Sequence, residues 1–253
     1  MDHCTRYQNE REFTDASAEK VLSGLPSDLR LSRIDTFGTL CNNLHYLRSV
    51  PSFFGALSGK RILDMGCGNG WISLHFAKSG ADVWACDISP KTIQLAERYA
   101  EAARLQVTFE TMVCEEMTHE DEFFDFVFMH MALHHCDIAA TAKEIHRVLK
   151  PGGKAVLVED YAYHPIMRLY RILTPKKHTK HEHALSEKDV SLFISNFSSH
   201  TVEYSGLLNV FETSNGSLAR LFKPAVRTID DFLYSRLRFV RRYSRLIVMK
   251  VQR

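Results

Sequence analysis

The run Arg61-Ile62-Leu63-Asp64-Met65-Gly66-Cys67-Gly68-Asn69-Gly70 constrains this chain more than any other stretch. An apolar strand pattern ends in a turn with glycine at alternate positions. The amphipathic run Trp71-Ile72-Ser73-Leu74-His75-Phe76-Ala77 opens directly from that turn. Glycines carry no β-carbon, so a ligand can lie against bare backbone at a helix N-terminus. A second apolar segment, Ala81-Asp82-Val83-Trp84-Ala85-Cys86, ends in Asp87. A carboxylate at that strand tip suits a ribose diol. The two features together describe a nucleoside pocket.

The spacing decides which nucleoside. A dinucleotide fingerprint reads G-x-G-x-x-G, with a diphosphate over the helix N-terminus. Here the order is Asp64-x-Gly66-x-Gly68-x-Gly70, with an added acid at the strand end. That acid repels a diphosphate and suits a cationic ligand, such as an ammonium or a sulfonium. The loop resembles the first motif of the class I S-adenosylmethionine-dependent methyltransferases, D-x-G-C-G-x-G, and the downstream pieces follow in order. The resemblance implies that Gly66, Cys67, Gly68 and Gly70, with Trp71, cradle the amino-acid end of S-adenosylmethionine and that Asp64 lies near its amino group. It also implies that Asp87 holds the ribose and that Ile88 covers the adenine. The cofactor expected is S-adenosylmethionine.

The loop after the third strand, Val113-Cys114-Glu115-Glu116-Met117, brackets adenine in this family. Many relatives have Asp where Val113 stands, so recognition here falls to the backbone N–H of Cys114 and to Glu115. A solvated turn is the other reading of these acids. After the fourth strand, His130-Met131-Ala132-Leu133-His134-His135 reaches the place where the family's acceptor approaches. His130, at the strand end, lines the transfer site or accepts a proton there, since imidazole titrates near neutrality. His134 and His135 are further catalytic candidates, or they hold the loop through backbone hydrogen bonds.

From Lys60 strands and helices alternate, the pattern of a parallel sheet covered on both faces. Strands are expected at Arg61–Met65, Asp82–Asp87, Gln106–Thr111, Phe124–Met129 and Lys154–Glu159, with helices from Ser89-Pro90 to about Arg104 and from Ile138 to the Lys150-Pro151-Gly152-Gly153 breaker. Ser186-Glu187-Lys188-Asp189 reads as a capping box before a helix through Asn196. Two late strands, Thr201–Phe211 and Tyr243–Val251, flank a basic helix over about 217–240. The expected architecture is α/β, a doubly wound seven-stranded Rossmann-like sheet. The resemblance implies that it is mostly parallel, with the last strand antiparallel. Residues 1–58 form a helical N-terminal cap, 59–253 the cofactor-binding domain, and 161–199 an acceptor or lid insertion after strand five.

The insertion supplies the expected acceptor wall, Tyr161, Tyr163, His164 and His183. Its Thr174-Pro175-Lys176-Lys177-His178-Thr179-Lys180-His181-Glu182-His183 run is similar to a lid in bacterial small-molecule methyltransferases. No metal is expected from that run, because it lacks H-E-x-x-H spacing and is strongly basic. The N-terminal segment, with Tyr7 and Phe13, is expected to close over the cofactor.

The 253 residues carry a formal net charge of only +2, which gives no general pull toward nucleic acid. The start lacks a signal-peptide core and the six cysteines lack C-x-x-C spacing, so a cytoplasmic protein with reduced thiols is expected. The tail concentrates arginines and lysines, which suits an anionic acceptor or peripheral membrane contact, or else a solvated helix face. The expected reaction is in-line methyl transfer to a small-molecule acceptor, a natural product or metabolite. Alternatives are cyclisation or aminocarboxypropyl transfer with the same cofactor, methylation of a lipid or quinone at a membrane, and a non-catalytic binding role.

Overall fold

A computed structural model describes residues 3–31, 34–174, 179, 182–208 and 217–253. Its sheet contains β1 (Arg61–Met65), β2 (Asp82–Asp87), β3 (Thr108–Thr111), β4 (Phe124–His130), β5 (Leu149–Asp160), β6 (Ser199–Ser205) and β7 (Leu246–Gln252), in the order β3-β2-β1-β4-β5-β7-β6. The first five strands are parallel, and β7 inserts antiparallel between β5 and β6. This is the expected topology. The order reverses between β1 and β4, where an open α/β sheet leaves a crevice at its carboxyl edge.

The strand sequences explain the burial. Ile62, Leu63 and Met65 in β1 are buried around the single acid Asp64, and Phe126 to Met129 in β4 and Ala155 to Val158 in β5 are continuous apolar runs, buried on both faces. One face packs Leu63, Val127, Met129 and Leu157 against Ile145 and Val148 of α6 (Ile138–Val148). The other packs Ile62, Phe126, Phe128 and Val156 against Phe76 of α4 (Trp71–Lys78). Phe37 of α2 (Phe37–Asn43), Leu47, and Val50 and Phe54 of α3 (Val50–Phe54) complete that second core. Much of the sequence before the first strand is therefore interior to one face of the sheet.

Local signals set the helix ends. Ser89 caps α5 (Pro90–Ala103) by accepting from the Thr92 N–H, Pro90 occupies the first turn, and Arg104 closes the helix in the left-handed region. The Ser186/Asp189 capping box opens α8 (Glu187–Ile194) as expected. α1 (His3–Leu22) runs over α5, where Asp15 accepts from the Ser89 hydroxyl at 2.5 Å and the Lys91 N–H at 3.2 Å. That docking brings α1 over the crevice.

Several boundaries differ from expectation. The third strand starts at Thr108, not Gln106. The Pro151-Gly152-Gly153 breaker ends α6 but lies inside β5, where the register with β4 shifts. The sixth strand stops at Ser205, before Gly206 turns with φ +78°; the end once expected for it, residues 209–211, lies outside the described residues. α9 (Ser217–Arg236) ends before Val240 and gives way to a tight turn over Arg238–Tyr243. α7 (Pro165–Leu173) starts at a proline whose preceding His164 accepts from the Met167 N–H; none of its residues, all described, is buried.

Candidate cofactor and acceptor site

At the switch point lies a cavity of about 580 Å³, within the range of small-molecule sites. Its floor is the turn after β1. Gly66, Gly68 and Gly70 have φ of +67°, +54° and +72°, a region costly for residues with a β-carbon. They do different jobs. A β-carbon on Gly66 would sit 2.5 Å from Cβ of Ala132, so this glycine lets the loop after β4 approach. On Gly70 it would meet Ala96 at 2.9 Å and the Phe109 ring at 3.0 Å, so Gly70 serves the packing of turn against α5 and β3. Gly68 faces open space, with no protein atom within 4 Å of that position. This bare backbone is what a ligand would occupy.

Two buried acids flank the turn. Asp64 lines the cavity and accepts from the Ser73 hydroxyl of α4 at 2.5 Å. Burial pushes its carboxyl up to about 7, with the Ser73 hydrogen bonds opposing and Asp87 adding repulsion. Asp87 accepts from the Gly68 N–H and the Ser89 N–H, each at 3.0 Å, and so holds the turn in shape. Burial raises its pKa, and those two N–H groups pull the other way. A carboxylate has about four lone-pair sites, so these two bonds leave acceptor capacity toward the cavity. Two desolvated acids beside bare backbone form a set of donors and acceptors that fits a cationic nucleoside.

The wall opposite is the loop after β4. Glu159, fully buried at the end of β5, accepts from the Ala132 N–H at 2.9 Å and the Leu133 N–H at 2.7 Å, while its second oxygen lies 2.5 Å from Nδ1 of His134. Met131 is held at φ +56°, an unusual conformation for its residue type. His130 Nε2 lies 3.2 Å from the Tyr46 hydroxyl, and both residues line the cavity. Burial lowers the pKa of His130, against the raising effect of Glu159, so the ring stays neutral near pH 7.

Comparison with known proteins agrees with this geometry. Residues 63–157 match the methyltransferase domain family. Over those residues the chain is similar to a methyltransferase domain. A ubiquinone biosynthesis O-methyltransferase of Alkalilimnicola ehrlichii is 33% identical over 123 residues, covering 46% of this chain and 50% of that protein. Another, from Xanthomonas oryzae pv. oryzae, is 33% identical over 142 residues, 50% of this chain and 59% of its own length. The chain thus spans about half the length of the curated relatives it matches. Among solved structures, phosphoethanolamine N-methyltransferase 2 of Haemonchus contortus, in complex with S-adenosyl-L-methionine, superposes with a TM-score of 0.59 at 21% identity, over 84% of this chain and 52% of that one. These likenesses support the fold; the acceptor is not carried over from them.

Within residues 63–157, the cavity wall includes Asp64, Gly66, Cys67, Gly68, Trp71, Asp87, Ile88, Cys114, Glu115, His130 and His135. Gly70 is not on it, for the packing reason above. His134 is buried behind the wall against Glu159. Burial pulls its pKa down, but the charge and hydrogen bond of Glu159, then Glu182 and Asp160, raise it overall. Glu115 accepts from the Asp137 N–H at 2.8 Å and pairs with Arg6 of α1. It is a tether for the roof as well as a wall residue.

The four expected acceptor residues lie elsewhere. Tyr161 is buried edge-on between Tyr163 and Tyr204, and Arg242 covers the Tyr163 ring. His164 is spent on the α7 cap and on the Leu207 carbonyl at 3.1 Å. His183 is mostly exposed, 3.8 Å from Asp189. The reason is local: each belongs to a cap or a packing cluster after β5, on the far side of the Glu159 strand tip. His178 and His181 lie outside the described residues. Phe13 is exposed, whereas Tyr7, Glu10 and Thr14 of α1 line the cavity.

Tyr46 and Glu10 carry no mark in the sequence, whereas Glu159 opens the segment expected as the acceptor wall and Glu182 lies in the lid-like run. Glu159 was legible, as a charge ending the apolar run Ala155–Val158. Tyr46 and Glu10 sit 84 and 125 positions away from the histidines they approach, His130 and His135, with no local pattern to mark them. The basic tail is partly consumed by pairing: Lys250 with Glu203, Arg253 with Glu122 at 2.8 Å, and Arg245 near Asp160 at 3.9 Å.

Proposed function

We propose that the protein binds S-adenosylmethionine in this cavity and transfers its methyl group to an oxygen of a small acceptor. The observation carrying the proposal is the open backbone at Gly68, flanked by Asp64 and Asp87, facing a wall that bears neutral His130. When bound, the cofactor supplies an electrophilic methyl carbon on a sulfonium. Gly66 and Gly68 would seat its amino-acid end, Asp64 would lie near its cationic groups, and Asp87 would bind the ribose hydroxyls. Cys114 and Glu115 border the adenine end. His130, with Tyr46 on its Nε2, would hold an acceptor hydroxyl and take its proton. Alignment of nucleophile and methyl can supply roughly 7–11 kcal/mol, and a positioned base about 10²–10⁴-fold. The O-methyltransferase relatives favour oxygen as the acceptor atom.

A second reading concerns where the acceptor comes from. α7 exposes Ile166, Leu169, Ile172 and Leu173, with Ile172 at 73% and Leu173 at 70%. Arg242, from the turn 238–243, sits over the Tyr163 ring at the root of α7, and that turn exposes Phe239 between basic residues. An apolar face beside cations suits an anionic bilayer, and hence a lipid-like or quinone acceptor. Among the described residues no helix is long and apolar enough to cross a membrane.

Incubation with labelled S-adenosylmethionine and phenolic acceptors tests the reaction. S-adenosylhomocysteine is the product expected; methylthioadenosine would replace methyl transfer by aminocarboxypropyl chemistry. Flotation on anionic vesicles, lost in Ile172→Asp/Leu173→Asp, tests the source.

A further inference from the structure

The loop after β4 and the segment just before α8 bring a second set of side chains together beside the cavity. We propose that His134, His135 and Glu182 form a site for one divalent transition-metal cation, of the zinc class, with a coordination position open toward the cavity.

One ligand atom from each of the three residues lies within 4.8 Å of the other two. Around a zinc ion with bonds of about 2.0–2.2 Å, tetrahedral ligand atoms stand about 3.3–3.5 Å apart. The cluster therefore needs a contraction of up to about 1.5 Å, within reach of side-chain rotation. Two imidazoles and one carboxylate with a fourth place open make up the donor set of several catalytic zinc sites. Imidazole nitrogens favour zinc, cobalt or nickel over magnesium, which prefers oxygen.

The surroundings fit as well. His134 presents Nδ1 to Glu159 at 2.5 Å, so its Nε2 is the remaining ring nitrogen, 4.0 Å from Glu182 Oε1. Metal-bound histidines usually anchor their other nitrogen on a carboxylate or carbonyl in this manner. Glu159 is itself fixed by two backbone N–H groups. The His135 ring lies 4.2 Å from that of His134. Its Nδ1 is 2.9 Å from the buried Glu10 carboxylate, without hydrogen-bond alignment. Three carboxylates thus gather about two imidazoles, and His135 and Glu10 both line the cavity. The basic run 174–183 supplies only Glu182 to this cluster; both imidazoles come from the loop after β4.

The inference deepens the methyl-transfer reading, on which it rests only for the use of the site: the open position would hold the acceptor's oxygen beside His130. Cation binding itself is measured independently. The full chain is stripped with a chelator, then titrated with Zn²⁺ by calorimetry and with Co²⁺ by visible absorption. About one cation per chain is expected, with a cobalt spectrum of low coordination number. Glu159→Gln should weaken binding about 10–100-fold. His135→Ala and the near-isosteric Glu182→Gln should lose the cobalt signature while keeping the far-ultraviolet dichroism of the fold. Failure of the wild-type protein to take up either cation, or an unchanged cobalt spectrum in folded Glu182→Gln, would overturn the site. S-adenosylhomocysteine binding is titrated in parallel on the stripped chain. If it binds but the cations do not, only the metal site falls; the converse sinks the methyl-transfer reading and spares the metal site.

Discussion

The floor and the roof of the cavity are built on different principles. The floor, from Asp64 to Asp87, consists of backbone and short side chains within a stretch of 24 residues, and each part holds the next: Asp87 grips the Gly68 N–H, and Ser73 grips Asp64. The roof and far wall consist of longer side chains from distant places, Glu10 on α1, Tyr46 before α3, Glu182 before α8, meeting histidines at the end of β4 and in the loop after it. The backbone floor can be altered only by changing the shape of the turn. The roof can be altered one side chain at a time, without disturbing the sheet. On the proposed reading, the floor holds the cofactor and the roof selects the acceptor.

Four measurements test that contrast. On the acceptor side, His130→Ala should lower kcat by about 10²–10⁴ while cofactor affinity by calorimetry stays near wild type. An unaltered rate would remove His130 from proton transfer. On the floor, Asp87→Ala should weaken cofactor binding by roughly 1.5–3 kcal/mol, as for lost charge-assisted hydrogen bonds; equal affinity would show that the floor does not read the ribose.

The third measurement is pH dependence. Burial raises Asp64 to about 7 in the folded protein, whereas an unfolded chain has the ordinary carboxylate value near 3.9. Between these two values the folded state keeps a proton that the unfolded state has released. Stability without ligand should therefore fall as pH rises from about 4 to about 7. A cationic cofactor prefers the ionised acid, so its affinity should climb toward pH 7, by up to about tenfold per unit, with proton release. Asp64→Asn should flatten both profiles; a flat wild-type profile would deny Asp64 contact with the cationic group. The smallest effect is a control away from floor and roof. Ser186→Ala removes the α8 cap and should cost about 0.5–2 kcal/mol in denaturant unfolding, with cofactor affinity and turnover unmoved.

The parts of this chain that were legible share one property: their partners are close in sequence. The turn from Asp64 to Gly70, the Ser89-Pro90 and Ser186–Asp189 caps, and the β1 and β2 boundaries are each determined by a few adjacent residues. The less legible parts depend on long-range contact. Pro151 to Gly153 ends a helix as its composition implies, yet those residues continue β5, because Leu149 pairs with Phe124 across the sheet. Tyr161 and His164 have residue types that suit an acceptor pocket, but an aromatic cluster and a helix cap claim them first.

The amino-acid sequence alone determined the strand-turn-helix cradle, the acids on two neighbouring strand tips and the alternation that makes a doubly wound sheet. All follow from glycine sterics, strand hydrophobicity and short right-handed connections. Only the tertiary structure decided that Gly68, rather than Gly66 or Gly70, presents the open backbone, that Tyr46 meets His130, and that Glu159 and Glu182 bracket His134. Those outcomes depend on how separate segments pack in space, and local side-chain chemistry does not encode the distance between residues remote in the chain.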